Sequence, residues 1–403
     1  MKSKRIFKET EIGKIPEEWE VRKLGIKCRI KNGKTNSQDA VDDGVYPLFD
    51  RSSQIKKSNK FLFDCEAIIV PGEGKDFIPR YFKGKFDLHQ RAYAIWQKDK
   101  DVDLKFVYYW ILNNKDYFAR IAVGSTVKSL RMNHFEDFPL AVPRNLEEQF
   151  YITKILSDLD LEIETNRKMN KTLDTIGQAL FKHWFVDYEF PNENGKPYKS
   201  SGGVMVDSEI GEIPKGWHKG VLGNIIENYD SKRIPLSSRE RAKRQGIYPY
   251  YGATRIMDYV DDYIFDGEYI LMGEDGTVID ERGYPILQYV WGKFWVNNHT
   301  HVLRGKEEIS LEYLFLLLKN TNVAHVVTGA VQPKINQSNM NGIEIVIPDK
   351  TLISRFTDIV SPLFELHRKN AEKIKLLSQI RDSFLPRLMS GKIRVPLGVK
   401  HNA

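Results

Sequence analysis

The residues with the most obvious catalytic potential are Asp64 and the later Glu73-Gly74-Lys75. An Asp followed by Glu-x-Lys is the order in which many nucleases hold Mg²⁺ and position a water molecule. A second copy of this region keeps acids at Asp266 and Glu274 but has Asp275-Gly276 where the lysine is needed. Turn and capping roles explain acids shared by both copies without any metal. We therefore expect no nuclease activity, and a Mg²⁺-dependent nuclease remains the less favoured alternative.

Two further stretches contain partial motifs. Gly33-Lys34-Thr35 has the ending of a phosphate-binding loop, but that loop needs a glycine where Cys28 stands. His299-Thr300-His301 places two imidazoles on one face of a strand, yet no third metal ligand accompanies them at a suitable spacing. A hydrogen-bonded or DNA-facing pair is the favoured interpretation. No Asn-Pro-Pro-Tyr or Asp-Pro-Pro-Tyr stretch of an amino-methyltransferase occurs, so we predict no catalytic residues and no metal ligands in this chain.

The elements that must position these residues occur twice. Residues 11–19 return as residues 209–217, and residues 124–143 run beside residues 329–348. This period is about half of the 403 residues, whereas solenoid repeats run ~20–50 residues per unit. The duplication predicts two similar modules related by a pseudo-two-fold axis, which suits a two-fold partner such as duplex DNA. Between the repeated phrases the copies differ, as expected of two modules that read different targets.

Each copy is predicted to contain short strands and to close with a long helix. Apolar or alternating runs predict strands at 61–63, 67–70, 92–96, 269–272, 286–290 and 301–303, and short helices at 105–112 and 311–318. Residues 147–185 and 352–385 carry the seven-residue spacing of a coiled coil, which predicts an antiparallel helix pair. The alternative is that each helix packs only on its own module. The residues predicted to pair the helices or dock partner subunits are Ile152, Leu159, Asn166, Leu173, Leu180, Leu363, Asn370, Leu377 and Phe384.

Bulk composition is compatible with a polyanionic partner. Lys and Arg outnumber Asp and Glu by 61 to 54, which gives a formal net charge of +7. Cys28 and Cys65 form no CxxC pair, which fits a reducing compartment. There is no apolar run of a signal peptide at the N-terminus and no apolar stretch of ~18 residues. We therefore expect a cytoplasmic protein with no membrane partner.

Several short sequence segments, taken in their order along the chain, resemble those of one known family. The repeated Ile-Pro-x-x-Trp with a later Leu-Gly, residues 179–188, residues 385–393 and the Gln332–Asn336 stretch resemble the specificity (S) subunits of type I restriction–modification systems, and residues 127–131 are a looser counterpart of the last. Each phrase alone is weakly specific, but their duplicated order covers essentially the whole chain.

This resemblance implies a mixed α/β (α+β) fold with two tandem target-recognition domains, separated by two long antiparallel coiled-coil helices. The implied segments are a first target-recognition domain at 1–145, a central long helix at 146–190, a linker at 191–208, a second target-recognition domain at 209–348 and a C-terminal long helix at 349–396.

The resemblance also implies a non-catalytic subunit that reads a bipartite, asymmetric sequence in double-stranded DNA. Two methyltransferase (M) subunits would dock on the helices and bring S-adenosylmethionine, and restriction (R) subunits would bring ATP and Mg²⁺ chemistry. The chain itself would bind no cofactor. A solitary DNA-binding regulator would also fit these features, as would a protein scaffold without DNA contact.

Base readout needs side chains that reach groove edges, with Arg suited to guanine and Asn or Gln to adenine, whereas Lys and Ser more often contact phosphates. Such groups collect in loops between short strands. The residues predicted to contact DNA are Arg51, Lys75, Arg80, His89, Gln90, Arg91, Lys128 and Arg131 in the first module, and Arg255, Thr277, Asn297, Asn298, His299, Gln332, Lys334 and Asn336 in the second.

Overall fold

The computed structural model describes residues 5–329 and 331–396. Two compact units share the chain: unit 1 contains the residues up to 166 and those from 373 onward, and unit 2 contains residues 167–372. Each unit therefore holds one copy of the repeat and one part of each long helix. Within the described ranges, no helix combines the length and apolarity needed to cross a membrane.

The first copy of the repeat is built on ten strands. They are β1 (Phe7–Thr10), β2 (Gly13–Pro16), β3 (Trp19–Lys23), β4 (Cys28–Asn32), β5 (Tyr46–Phe49), β6 (Lys56–Ser58), β7 (Phe63–Pro71), β8 (Arg80–Leu88), β9 (Ala92–Gln97) and β10 (Pro139–Pro143). The helices are α1 (Leu24–Lys27), α2 (Leu104–Asn113), α3 (Lys115–Ile121), α4 (Met132–Glu136) and the long α5 (Leu146–Phe181).

A six-stranded sheet in the order β4-β9-β7-β8-β5-β6 forms the centre of unit 1. Strand β7 is buried on both faces: Ala67 and Ile69 pack into one cluster with Phe86, whereas Ile68 and Val70 pack into the larger cluster that contains helix α2. Burial on both faces explains why residues 67–70 are continuously apolar instead of alternating. Asp103 caps α2 by accepting hydrogen bonds from the backbone amides of its first turn.

The second copy of the repeat contains the remaining strands and helices. The strands are β11 (Met205–Ser208), β12 (Gly211–Pro214), β13 (His218–Val221), β14 (Ile226–Asn228), β15 (Gln245–Tyr251), β16 (Ile256–Val260), β17 (Phe265–Asp266), β18 (Tyr269–Gly273), β19 (Leu287–Val290), β20 (Lys293–Val296), β21 (Thr300–Gly305) and β22 (Glu344–Ile347). The helices are α6 (Ser238–Lys243), α7 (Leu311–Lys319), α8 (Gln337–Asn341) and the long α9 (Lys350–Met389).

The sheets of unit 2 repeat the strand order of unit 1 with one interruption. Their orders are β14-β21-β18-β19 and β16-β15-β20-β17. The long strands β7 and β8 correspond to two broken strands, β17 with β18 and β19 with β20. The breaks fall at Gly267 and Gly292, which have φ of +126° and +78° and share a backbone hydrogen bond. Glycine takes these angles without the steric cost that a Cβ adds.

The short helices and most of the strands lie where the sequence predicts them. Helices α2 and α7 match the predicted 105–112 and 311–318. Four of the six predicted strands fall within β7, β9, β18 and β21, and a fifth, at 286–290, begins one residue before β19. Of residues 61–63, only Phe63 belongs to a strand. The predicted linker also differs, because part of it is folded within unit 2: Phe190 stacks on Tyr198 and Trp217, and strand β11 pairs with β12.

The two long helices run antiparallel in each unit. In unit 1, Arg381 of α9 donates to Asp160 of α5 at 2.9 Å, and Lys373 pairs with Glu162. In unit 2, Asn370 Nδ2 of α9 donates to Asn170 Oδ1 of α5 at 2.9 Å, and Asn170 donates to the carbonyl of His367 at 3.1 Å. The seam is therefore partly polar, as the asparagines in the heptad series predict.

The heptad series lies along the buried side of both helices except at one end. Ile152, Asn166, Leu173 and Asn370 are buried, and Leu159, Leu180, Leu363 and Leu377 are half-buried. Phe384 departs from the prediction because it is 38% exposed, whereas Leu385 is buried. A straight helix drifts by ~20° per heptad against a seven-residue repeat, so over three heptads the buried position moves on by one residue. Phe181, one residue after Leu180, is buried for the same reason.

Candidate nucleic-acid interface

Unit 1 contains an open cleft of about 1060 Å³ at one end of its sheet. Five connecting segments form it: those that follow β4, follow β5, follow β7, precede β9 and precede α4. Five of the eight DNA-contact residues predicted for this module line the cleft together with the acid Glu73; they are Arg51, His89, Gln90, Arg91 and Arg131. The sheet thus brings together side chains that are spread over 80 positions of the sequence, from Arg51 to Arg131 (131 − 51).

The centre of this cleft is the carboxylate of Glu73, which binds two arginines. Oε1 accepts hydrogen bonds from Nη1 of Arg91 and, at 3.1 Å, from Oγ of Ser129. Oε2 accepts from Nη1 of Arg51 at 3.3 Å. The Glu73 side chain is only 7% exposed, whereas the side chains of Arg51 and Arg91 are 59% and 60% exposed. The acid is therefore a buried anchor, and the two guanidinium groups face solvent.

The surroundings of Glu73 keep it ionised. Burial by itself raises the pKa of this carboxyl, but hydrogen bonds from Arg91 and Ser129 and the charges of Arg91 and Arg51 outweigh burial, so its pKa is lowered. Each arginine uses only Nη1 on Glu73. The Nε and Nη2 groups of Arg51 and Arg91 have no hydrogen-bond partner in the part of the chain that the structure describes.

His89 and Gln90 shape the turn that carries Arg91. Nδ1 of His89 accepts a hydrogen bond from the backbone amide of Arg91 at 3.1 Å, and the imidazole is only 8% exposed. Burial lowers the pKa of His89, and the charge of Arg51 lowers it further. Gln90 is exposed and donates to the side chain of Asn36 at 2.6 Å. His89 is thus an internal support in this structure, while Gln90 remains accessible to a ligand.

Arg80 supports the loop that carries Arg51. Its Nη2 donates to the carbonyls of Ser52 and Ser53 at 2.7 and 2.8 Å. Asp50 completes this loop by accepting from the Ser52 amide at 2.7 Å and from Lys56 at 2.9 Å. Although burial raises the pKa of Asp50, these bonds lower it to about 2. Arg80 therefore supports the loop that carries Arg51 without lining the cleft itself.

The remaining cations predicted in this module are exposed. Arg131 lines the cleft and directly precedes α4. Lys75 lies in the loop after β7, outside the residues that line the cleft. Lys128 lies opposite that loop, since its carbonyl accepts from the amide of Gly74 at 3.1 Å. Exposed lysines at the rim of a cleft are suited to phosphate contacts.

The same arrangement recurs in unit 2 with different side chains. Asp275 Oδ2 lies 3.3 Å from Nδ1 of His299, and Asp275 Oδ1 lies 3.3 Å from Nζ of Lys334. The backbone pairings establish the correspondence: Glu73 bridges to Ser129 and Asp275 bridges to Lys334. The amides of Gly72 and Glu274 bond the carbonyls of Arg91 and His299, respectively. One acid therefore holds Arg91 in unit 1 and its counterpart His299 in unit 2.

This register corrects the comparison of acids made from sequence. Glu274 corresponds to Gly72, and Asp275 is the counterpart of Glu73. The structure also separates the proposed nuclease residues. Asp64 is near the start of β7, and Glu73 lies beyond its end. At ~3.3 Å per residue, the strand from Asp64 to Pro71 alone spans about 23 Å, too far for both acids to bind one ion.

A second polar cluster in unit 2 lies beneath Asp275. Asp230, Glu274 and His301 bring three potential metal-ligand atoms within 4.8 Å of one another. Arg233 already pairs with Glu274 at 2.7 Å and with Asp230 at 3.5 Å. Nδ1 of His301 lies 2.6 Å from Asp230, and its Nε2 lies 2.8 Å from the Ile335 carbonyl. Because Arg233 and His301 already bond the carboxylates, the cluster fits a structural support better than an ion site.

Two asparagines predicted to contact DNA in unit 2 use their side-chain oxygens within the module. Asn297 is buried, and its Oδ1 accepts from the amide of His299 at 3.0 Å and from Thr300 at 3.2 Å. Asn336 caps α8 by accepting from the Asn339 amide at 2.8 Å. These two amides position neighbouring residues in this structure. The exposed members of the predicted set are Arg255, Thr277, Asn298, His299 and Gln332, and Lys334 is half-buried.

Sequence reasoning does not select Glu73, Asp275 or Arg233 as residues of a DNA-binding site. From sequence, Glu73 suggests only a metal ligand, because its arginine partners lie 22 and 18 residues away. The repeat holds a usable signal, since an acid followed by glycine occurs at both positions, Glu73-Gly74 and Asp275-Gly276. Nothing in the local sequence around Arg233 indicates its role.

Comparison with known proteins gives a consistent result. A family model described as the type I restriction modification DNA specificity domain matches residues 16–174 and 214–376. The chain is 27% identical over 430 residues to the type I restriction enzyme MjaIX specificity subunit of Methanocaldococcus jannaschii, with 96% of each chain covered. It is 37% identical over 145 residues to a putative type I restriction enzyme specificity subunit of Haemophilus influenzae, with 36% of each covered.

One solved structure is similar in fold. It is the crystal structure of a type I restriction–modification system S subunit from M. genitalium, with a TM-score of 0.63, 18% identity, and coverage of 92% of this chain and 96% of that one. At this identity the likeness concerns the fold alone.

Proposed function

This chain belongs to the type I restriction–modification DNA specificity family, and on that premise we propose that it is a non-catalytic subunit that reads a bipartite, asymmetric sequence in double-stranded DNA. Each module reads one part of the target. The observation that carries this proposal is that one acid holds two nitrogen-bearing side chains in each module, with different side chains in the two: Arg51 and Arg91 on Glu73, and His299 and Lys334 on Asp275.

The chemistry of these side chains supports DNA as the ligand. Solvent-facing guanidinium, imidazole and ammonium groups suit base edges and phosphates, and their charges favour association through counterion release. The cleft of about 1060 Å³ in unit 1 is open, as required if a long polymer such as DNA is to enter it. Since the cations differ between the modules, the two parts of the target differ in sequence.

Methyltransferase and restriction subunits are the proposed protein partners. Two M subunits dock on the long helices and supply S-adenosylmethionine, and R subunits supply ATP and Mg²⁺ chemistry, so this chain binds no cofactor itself. Exposed apolar side chains on these helices support docking there. Leu161 is 67% exposed in unit 1, and Ile176 and Leu366 are 41% and 40% exposed in unit 2.

The test is a genome-wide map of adenine methylation in cells that express the cognate M subunit with and without this chain. We expect a gapped two-part motif only when the chain is present. The M subunit alone, verified as expressed and soluble, is the control. If no new motif emerges, the proposal of a specificity subunit fails, and a direct DNA-binding selection would then separate a solitary regulator from a scaffold without DNA contact.

A further inference from the structure

The free edge of Arg91 is a candidate recognition group in unit 1. Arg91 binds Glu73 through Nη1 alone, and its side chain is 60% exposed. The remaining Nε and Nη2 groups lie on one side of the planar guanidinium and have no partner among the residues that the structure describes. This pair of parallel N–H donors matches two neighbouring acceptors on a single planar ligand.

Among the four bases, guanine presents that pair of acceptors in the major groove. Its O6 and N7 both accept hydrogen bonds, whereas adenine offers an acceptor beside a donor. A phosphate could also accept two bonds from Arg91, but it would not discriminate between sequences. A base contact requires the guanidinium to be held in one orientation, and the buried carboxylate of Glu73 provides that constraint.

We propose that Arg91 reads a guanine through O6 and N7 in the half-site bound by unit 1, with Glu73 as the positioning residue that orients Arg91. This inference rests on the proposed function and specifies its ligand. Arg51, on the other oxygen of Glu73 at 3.3 Å, is placed for an adjacent base or phosphate.

Unit 2 provides an internal contrast. On Asp275, the imidazole of His299 has only its Nε2 free, and Lys334 carries a point charge shared with Glu274 at 3.5 Å. Neither side chain offers two parallel N–H donors. The dependence on guanine through Arg91 is therefore confined to one half of the target, while the anchoring acid is common to both halves.

The experiment uses the full chain assembled with its M subunit and a duplex that contains the methylation motif. Each guanine of the motif is replaced in turn by 7-deazaguanine, which lacks the N7 acceptor, and affinity is measured by fluorescence anisotropy. We expect one guanine at which this replacement weakens wild-type binding by roughly 10- to 150-fold, the range expected when a charged donor loses one hydrogen bond. In Arg91→Ala, the same replacement should have no effect.

Two variants distinguish recognition of the guanine base from non-specific electrostatic attraction to DNA. Arg91→Lys keeps the charge but lacks the planar fork, so it should show a smaller 7-deazaguanine effect than wild type while retaining binding to unrelated duplex. Lys75→Ala removes an exposed charge from the neighbouring loop and should keep the effect. Equal dependence on N7 in wild type, Arg91→Ala and Arg91→Lys would overturn the inference.

Glu73→Gln tests the positioning role. It should reduce discrimination at the guanine that Arg91→Ala affects, with no change at the other half-site and a near-native thermal midpoint. Glu73→Asp, which retains the carboxylate that unit 2 uses, should restore part of that discrimination. Equal weakening at both half-sites in Glu73→Gln would contradict a positioning role.

Two possible results for the wild-type complex distinguish failure of the proposed function from failure of this inference. If the wild-type complex shows no two-part motif, the proposed function itself fails. If it shows a motif without guanine in either half, the function stands and this inference is wrong.

Discussion

Asp275 and His299 are the counterpart in unit 2 of Glu73 and Arg91, with Oδ2 of the acid 3.3 Å from Nδ1 of the imidazole. The carboxylate also lies 3.3 Å from Nζ of Lys334. The acid therefore orients two groups of the proposed DNA-binding surface and partly neutralises Lys334.

Asp275→Asn should lower the affinity of the assembled complex for its own target by roughly 5- to 30-fold, on the order of 1–2 kcal/mol. Binding to unrelated duplex should not weaken, because the change removes a negative charge near DNA. Anisotropy titrations at one salt concentration measure both. Asp266→Asn makes the same charge change at an exposed position of β17 and is the control. Equal effects of the two variants would contradict this prediction.

The buried pair Asn170 and Asn370 should stabilise the helix seam only as a pair. Asn370→Leu leaves the Oδ1 of Asn170 without its donor, so we expect a loss of about 1–3 kcal/mol in the free energy of unfolding. The double change Asn170→Leu with Asn370→Leu should regain most of that stability, because neither amide remains buried without its partner. Denaturant titrations of wild type, the two single variants Asn170→Leu and Asn370→Leu, and the double variant form the double-mutant cycle. Additive losses would show that the two amides do not interact.

Stability should fall in weakly acidic solution because of His89. Its pKa is lowered in the folded chain, and its Nδ1 must be unprotonated to accept from the Arg91 amide. As pH falls below the unfolded value of about 6.5, the unfolded chain binds a proton first. This contribution is therefore present above pH ~6.5 and is lost as pH falls towards the folded pKa.

The matched variant for His89 is His89→Gln, which retains a side-chain acceptor but does not titrate. The difference in unfolding free energy between wild type and His89→Gln should shift in favour of the variant as pH falls below about 6.5. Carboxylates titrate in both proteins, so the difference isolates the imidazole. A difference that stays constant between pH 7.5 and 5 would refute the prediction.

Gly391 closes the end of α9 against the first hairpin of unit 1. It has φ of +66°, and an added Cβ would lie 2.3 Å from Cγ of Pro16. Gly391→Ala should combine backbone strain of about 1–2 kcal/mol with about 1–3 kcal/mol of overpacking. Gly195→Ala is the control, because Gly195 has a similar φ of +71° but nothing within 4 Å of its added Cβ. Denaturation midpoints measure both, and a loss for Gly391→Ala no larger than that for Gly195→Ala would exclude the proposed clash.

Periodicity makes the repeat, the short helices and the long helices predictable. Helical spacing is a local property, so it identifies α2, α7, α5 and α9 within a few residues. A fixed seven-residue series does not account for the slow rotation of the buried face around a straight helix. For this reason Leu385 is buried where the heptad series predicts Phe384.

The candidate interface is only partly predictable, because its chemistry depends on pairings between strands. The side chain of Arg91 marks it as a DNA contact, but the acid that holds it meets it only when β7 and β9 pair. Asn336 shows the opposite error. An asparagine at the start of a short helix is a favoured cap, and its side chain bonds the Asn339 amide instead of facing outward.

The shared acid has an evolutionary consequence. Because Glu73 and Asp275 hold different side chains, Arg91 and His299, in equivalent places, a change of that side chain leaves the anchor and its backbone in place. Arginine and histidine codons can differ by a single nucleotide, so the step from an Arg91-like group to a His299-like group is within reach of one point mutation. Such a chain can acquire a new recognition sequence through single substitutions, while the residues that maintain its fold stay the same.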